Sequence, residues 1–137
     1  MNERPLMYFG HPINFYNTPK EADLVRIIEA RFPEYALENP NQRHHQQGYV
    51  DWKAQKGNGM QYYFQIVLPK MDAGIFLCFE DRMFGFGVFG EAEFIAQRGN
   101  PIWEIDVEGN ITTMRLDTNR LLTIEETKKR IYPNYSK

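Results

Sequence analysis

Two residue types that carry much of hydrolytic and extracellular chemistry are almost missing: the chain has one cysteine, Cys78, and one serine, Ser136. A lone cysteine excludes an internal disulfide. It also points to a reducing, cytoplasmic setting. Cys78 stands in the apolar run Ile75-Phe76-Leu77-Cys78-Phe79 and reads as a small core residue rather than a nucleophile. With no serine before position 136 there is no Gly-x-Ser-x-Gly elbow, so a serine hydrolase is excluded. No apolar run approaches the roughly 18 residues of a membrane span. The opening Met1-Asn2-Glu3-Arg4-Pro5 lacks the pattern of a signal peptide, so no membrane association is expected. Charge of one sign is also lacking: the formal net charge is −2, which gives no basic face for duplex nucleic acid. No cysteine or acid cluster has zinc-ligand spacing, and the adjacent His44 and His45 should diverge, so no metal or other cofactor is expected. A P-loop and the dinucleotide-binding glycine fingerprint are both absent.

What is abundant is aromatic: ten Phe and eight Tyr among 137 residues exceed the needs of one small core. Some should line a pocket or a subunit interface. The length is that of one domain, and no repeat or linker divides it. Leu6 to Phe9, stopping at Gly10, reads as a buried strand. Thr18-Pro19-Lys20-Glu21 is a capping-box start for a helix carrying Leu24, Ile27, Ile28 and Phe32 on one face, ended by Pro33. Tyr35 to Leu37 suggests a second strand. Residues 41–58 are polar and read as a long loop with one helical turn at most. Met60 to Met71 has helical periodicity, and Ala73 to Phe79 is apolar throughout, as a strand covered on both faces would be. A glycine and aromatic loop, 83–90, precedes a helix expected to start at Glu91 and to stop at Gly99-Asn100-Pro101. Ile102 to Ile105 and Ile111 to Leu116 read as strands, and Thr123 to Glu126 as a capping box opening a last helix. Strands alternating with helices predict an α/β fold, a Rossmann-like or flavodoxin-like parallel sheet with helices on both faces. Its ligand should lie at the carboxyl ends of the strands, against the loops 10–17 and 80–90.

Glu91 is the leading candidate for chemistry. At a helix N-terminus a carboxylate is held ionised by the dipole and free N–H groups, available as nucleophile or base. A simple capping role is the bland alternative. Glu93, two residues on, should be solvated. Gly85, Gly87 and Gly90 let backbone approach a ligand. Glu80 and Asp81 end the central strand and are placed to bind ribose hydroxyls, or to be solvated loop acids. Asp72 enters that strand from the other end, as a turn residue or a ligand contact. His11 follows Gly10 in the first loop.

The order of these elements carries more than any one of them. A first strand ends in Tyr8-Phe9-Gly10-His11-Pro12-Ile13, a buried strand begins at Asp72, and glycines precede Glu91. Ala96 and Gly99-Asn100-Pro101-Ile102 follow. This pattern, over about residues 6–106, resembles the nucleoside 2-deoxyribosyltransferase superfamily, which includes deoxynucleoside 5′-monophosphate N-glycosidases. The resemblance implies a nucleoside or nucleotide as ligand, with Glu91 attacking C1′ to form a glycosyl-enzyme. Tyr8 would position the glutamate or the sugar, the backbone at Gly10 and His11 would contact ligand, and Asp72 would take the family's strand-opening place. Phe84, Phe86 and Phe89 would stack the base, and Arg43, His44 or Arg82 would offset a 5′-phosphate. It also implies a homodimer or larger homo-oligomer, with Tyr132 or Tyr135 completing a neighbour's site. The chain departs from the family at Phe89, where a glycine is usual, and at Gly85, where Ser or Asp often binds phosphate or positions the sugar. Residues 107–137 have no counterpart. A non-catalytic nucleotide sensor of the same fold, or a TIR-like NAD glycohydrolase, are the alternatives.

Overall fold

A computed structural model describes residues 4–57 and 60–132, apart from the side chains of Arg43 and Met60. Five strands form one sheet: β1 (Leu6–Gly10), β2 (Ala36–Glu38), β3 (Ala73–Leu77), β4 (Ile102–Ile105) and β5 (Ile111–Thr113). Their order is β2-β1-β3-β4-β5, parallel except for β5, which pairs antiparallel with β4. That is the flavodoxin-like strand order, with its topological switch between β1 and β3. The expected α/β architecture is thus observed.

Helix α1 (Pro19–Arg31) begins as the sequence predicts, with Thr18 Oγ1 accepting from Glu21 N–H. The reciprocal half of the capping box is missing. Glu21 Oε1 accepts instead from Asn17 N–H, and Oε2 faces His11, because a buried imidazole competes better for that carboxylate than the Thr18 amide. Leu24, Ile28 and Phe32 are buried, whereas Ile27 lies at the rim beside Gly109. Together with Met7, Phe9, Ile75, Leu77 and Ile105 they form the core on one face of the sheet.

The second face is covered by α2 (Arg43–Lys56), α3 (Met60–Tyr62) and α4 (Phe86–Gln97). Helix α2 corrects the loop expected over 41–58. Its residues are polar because only a thin stripe, His45, Tyr49 and Trp52, turns inward at helical spacing. Gly48 interrupts that stripe for a reason of space: a Cβ there would lie 2.3 Å from the Tyr62 hydroxyl. The helix ends at Gly57 with φ +81, a left-handed cap. Helix α3 continues as a π-turn, Tyr63–Val67, and a 3-10 turn, Leu68–Lys70. The wider turn rotates Tyr62, Tyr63, Val67 and Leu68 inward and leaves Ile66 exposed.

Helix α4 starts at Phe86, five residues before the predicted start. Two glycines in its first turns, Gly87 and Gly90, disguise it as a loop, and its Gly85 N-cap has no side chain to cap with. The missing acceptor comes from α5 (Ile124–Ile131), whose Thr127 Oγ1 accepts from Phe86 N–H at 2.9 Å. Helix α5 itself carries the complete Thr123–Glu126 capping box. β3 ends two residues earlier and β5 three residues earlier than the sequence suggests; beyond each end one more bond reaches β4, from Cys78 N–H to Ile105 O and from Met114 N–H to Ile102 O.

A buried ion pair fastens the start of the C-terminal segment to β4. Glu104 on β4 is 6% exposed, and the Arg120 guanidinium grips it through two nitrogens at 2.9 and 2.8 Å while lying over the Phe84 ring. Arg120 O and Leu122 N–H bond the Phe84 backbone. Breaking a buried pair by removing one partner strands the other charge, at a cost of about 3–5 kcal/mol. Arg120→Met leaves Glu104 only the exposed Arg82 guanidinium at 4.0 Å, and is expected to lose stability toward the lower end of that scale in urea unfolding. Arg120→Met with Glu104→Leu should recover most of the loss, since no orphaned charge remains.

Candidate functional site

A cavity of about 510 Å³ opens at the carboxyl ends of β1 and β3. This is where a sheet of this order leaves a crevice. Its floor is Glu91 and Tyr8. Tyr8, on β1, points to the α4 side of the sheet because its neighbours Met7 and Phe9 pack against α1. Its hydroxyl donates to Glu91 Oε2 at 2.7 Å, and both side chains are buried. Gly10 leaves the space for this contact. A Cβ at Gly10 would meet the Phe76 ring at 2.5 Å and Glu91 Oε1 at 3.1 Å.

Glu91 therefore does not sit where the sequence suggests. It lies in the second turn of α4, beyond the reach of the free N–H groups. Burial dominates its electrostatics. Desolvation pushes its carboxyl up to about 8, and the Tyr8 hydrogen bond offsets only part of that. The residue is thus mostly protonated at neutral pH rather than held ionised. Burial, with Glu91 nearby, also pushes the Tyr8, Tyr16 and Tyr63 hydroxyls well above their ordinary range. They stay neutral and act as hydrogen-bonding groups.

The walls come from five segments. His11 and Tyr16 follow β1, Gln46 and Tyr49 come from α2, and Tyr63 from the π-turn. Gly85 and Gly87 open α4, and Thr127 and Tyr132 come from the C-terminal segment. His11 is held rigidly: Nε2 faces Glu21 Oε2 at 2.7 Å, Nδ1 faces Phe9 O at 3.0 Å, and the ring stacks on Phe9. Burial favours the neutral form of Glu21, but hydrogen bonds from His11, Asn17 N–H and Asn41 hold it below the usual carboxylate range. The Glu21 carboxylate so ties the loop after β1 to α1 and to the segment entering α2.

No family of known sequences, no curated protein and no solved structure matches the chain.

Of the residues singled out in the sequence, Tyr8, Gly10, His11, Gly85, Gly87 and Glu91 converge on the cavity. Others do not. Asp72 is at the opposite end of the sheet, where its carboxylate accepts from Leu6 N–H at 2.8 Å and fixes the start of β1. Asp81 pairs with Arg130 at 2.6 Å and Glu80 is exposed, because β3 ends at Leu77 and the chain turns outward before them. Phe84 and Phe89 are core residues, and Phe86 is half exposed on the outer side of α4, so none stacks in the cavity. The early start of α4 turns Phe86 and Phe89 onto helix faces, and Phe84 is drawn into the core where its backbone pairs with residues 120–122. Arg82 faces Glu104 and Asp106, and His44 is exposed outside the cavity. The side chain of Arg43, and all of Tyr135, lie outside the described residues. Tyr132, expected to reach a neighbour's site, lines the cavity of its own chain.

Tyr16, Gln46, Tyr49, Tyr63 and Thr127 are site residues that the sequence does not announce. For the three tyrosines the one signal is the excess of tyrosine; Gln46 and Thr127 have none.

The native state favours neutral Glu91, so the stability this gives is fully present below about pH 4.5 and is lost as pH rises through about 8. The stability of wild type relative to Glu91→Gln should fall across that window, by at most about 1.4 kcal/mol for each pH step of one. Paired urea titrations from pH 4 to 9 check this, and a flat difference would place Glu91 in water. Gly10→Ala should displace Phe76 or Glu91 and lower the melting temperature by several degrees, consistent with an overpacking cost of about 1–3 kcal/mol.

Proposed function

We propose that the cavity binds a nucleoside and that Glu91 cleaves its N-glycosidic bond. The observation that carries this is the Tyr8–Glu91 hydrogen bond at the floor of a cavity walled by tyrosines. A carboxyl with a single directing donor, in a site of the size that encloses small ligands, suits attack on a sugar carbon. The tyrosine faces of the wall suit a planar base. The resemblance to the nucleoside 2-deoxyribosyltransferase superfamily supports the same chemistry, with Tyr8 and Glu91 in the roles it implies.

In this reading ionised Glu91 bonds to C1′ as the C1′–N bond breaks, and the base leaves with that electron pair and takes up one proton. Water then attacks C1′ and displaces the carboxylate, losing a proton, so the sum is nucleoside plus water to free base plus sugar. A second base in place of water gives deoxyribosyl transfer. Tyr8 donates to Oε2 and leaves Oε1, on the Gly10 side, as the attacking atom. Among the described residues lining the cavity there is no lysine or arginine. This favours an uncharged nucleoside over a 5′-monophosphate, against the phosphate contacts expected at His44 and Arg82.

A second reading draws on the protonated state of Glu91. A neutral carboxylic acid buried in a cavity donates a hydrogen bond to a ligand and need not react, which suits a nucleotide sensor.

The deciding measurement is free-base release from deoxynucleosides and their 5′-monophosphates, with and without acceptor bases. Release is expected from the uncharged nucleosides and should fall about a hundredfold or more in Glu91→Gln. Its rate should rise with pH to a plateau above about 8 as the nucleophile ionises. Tyr8→Phe removes the one hydrogen bond that lowers this value and should move the midpoint further up. Binding without release from any substrate would sink the enzyme and favour the sensor; release of nicotinamide from NAD would instead assign the TIR-like chemistry.

A further inference from the structure

Outside the cavity, the end of β2 meets the first turn of α2. Glu38, the last residue of the edge strand, faces His44 and His45 there. One ligand atom from each of the three lies within 4.8 Å of the other two. The sequence suggests that adjacent histidines diverge, yet their ring centroids are 3.9 Å apart. The reason is that His45 turns in against Tyr62 while His44, one position back in the first helical turn, lies over it from the solvent side.

His45 is the informative member. Only 6% of it is exposed, its Nδ1 faces the Tyr62 hydroxyl at 3.4 Å, and its Nε2 has no hydrogen-bond partner. Glu38 Oε1 faces Nε2 from 3.8 Å, too far for a hydrogen bond. A buried ring nitrogen left without a partner calls for an explanation, and an ion is one of the few that serve. The separation also has meaning. In a tetrahedral site with bonds of about 2.0–2.1 Å, neighbouring ligand atoms stand about 3.3–3.4 Å apart. Glu38 Oε1 and His45 Nε2 are a few tenths of an ångström from that spacing, and exposed His44 has freedom to complete the triangle.

We propose that Glu38, His44 and His45 bind a divalent transition-metal ion of the zinc class. Two imidazoles and one carboxylate form a nitrogen–oxygen donor set suited to Zn²⁺, Co²⁺ or Ni²⁺ rather than to Mg²⁺ or Ca²⁺, which take oxygen. Three protein ligands leave a fourth position for water. Tyr62 is the outer partner that orients the His45 ring through Nδ1, so that Nε2 is the ligating atom. The ion would pin the first turn of α2 to the sheet edge. The same helix, from its next residues, supplies Gln46 and Tyr49 to the cavity wall. Metal occupancy therefore steadies that wall. The site is independent of whatever chemistry Glu91 performs.

Co²⁺ titration of the full chain, freed of metal by chelation, tests this. The expected result is one Co²⁺ per chain with the visible absorption of a four-coordinate nitrogen–oxygen site, displaced by Zn²⁺, and a melting temperature raised by Zn²⁺. Glu38→Gln and His44→Ala change exposed or half-buried side chains and should leave the metal-free melt unchanged. Each should weaken Co²⁺ binding about tenfold or more, at least the loss that outer partners of a metal site cause. His45→Gln should abolish binding, and Tyr62→Phe should weaken it without removing it. The proposal is overturned by absence of a Co²⁺ band at millimolar metal. It is equally overturned by binding that Glu38→Gln and His44→Ala leave unchanged.

Discussion

The contact on which the site depends is the hydrogen bond between Tyr8 and Glu91, made between two buried side chains at the cavity floor. A carboxyl group in the second turn of a helix has no backbone donors to satisfy it, and here it is also walled in by Phe76 and the β1 backbone. The single phenolic donor is all that offsets its desolvation, which is why its affinity for a proton rises so far. The same closeness dictates neighbouring choices. Gly10 must lack a side chain, and the Tyr8 ring must leave β1 on the α4 face. The alternation of Met7, Tyr8 and Phe9 along the strand secures that direction.

Around this floor, the walls after β1 and at the C-terminal segment are positioned by polar clamps lying outside the cavity. Glu21 fixes the loop after β1 through His11 and Asn17. Arg120 and Glu104 fix the segment leading to α5, and Arg130 with Asp81 holds the helix from its far side. Thr127 then both lines the cavity and caps α4. The acids that sequence reasoning offers as ligand contacts, Asp72 and Asp81, are among the residues that hold the frame instead. A charged side chain near a strand end is needed twice over, by ligands and by loose backbone, and spacing does not distinguish the two uses.

Much of the fold was legible. The apolar runs at Leu6–Phe9 and Ala73–Phe79, the Thr18 and Thr123 caps, and the glycine stop after α4 are local signals with local causes. What misled were segments whose local chemistry contradicts their final state. Helix α2 is polar and holds a glycine, yet it forms because Tyr49 and Trp52 find the core and Gly48 accommodates Tyr62. The start of α4 is hidden by glycines whose missing cap is supplied by a helix near the end of the chain.

By itself the sequence determined the α/β alternation and the carboxyl-end location of the cavity, because these follow from periodicity and from the order of elements along the chain; it offered Glu91 as a candidate from its place after the glycines, and Tyr8 only through the family resemblance. Only the tertiary structure decided that Glu91 is buried and mostly protonated, since desolvation depends on what packs around a group and not on its neighbours in sequence. It alone also brought in Tyr16, Tyr49, Tyr63 and Tyr132, and placed Glu38 beside His44 and His45. Those groupings are made by crossing connections between strands, whose endpoints no local pattern records.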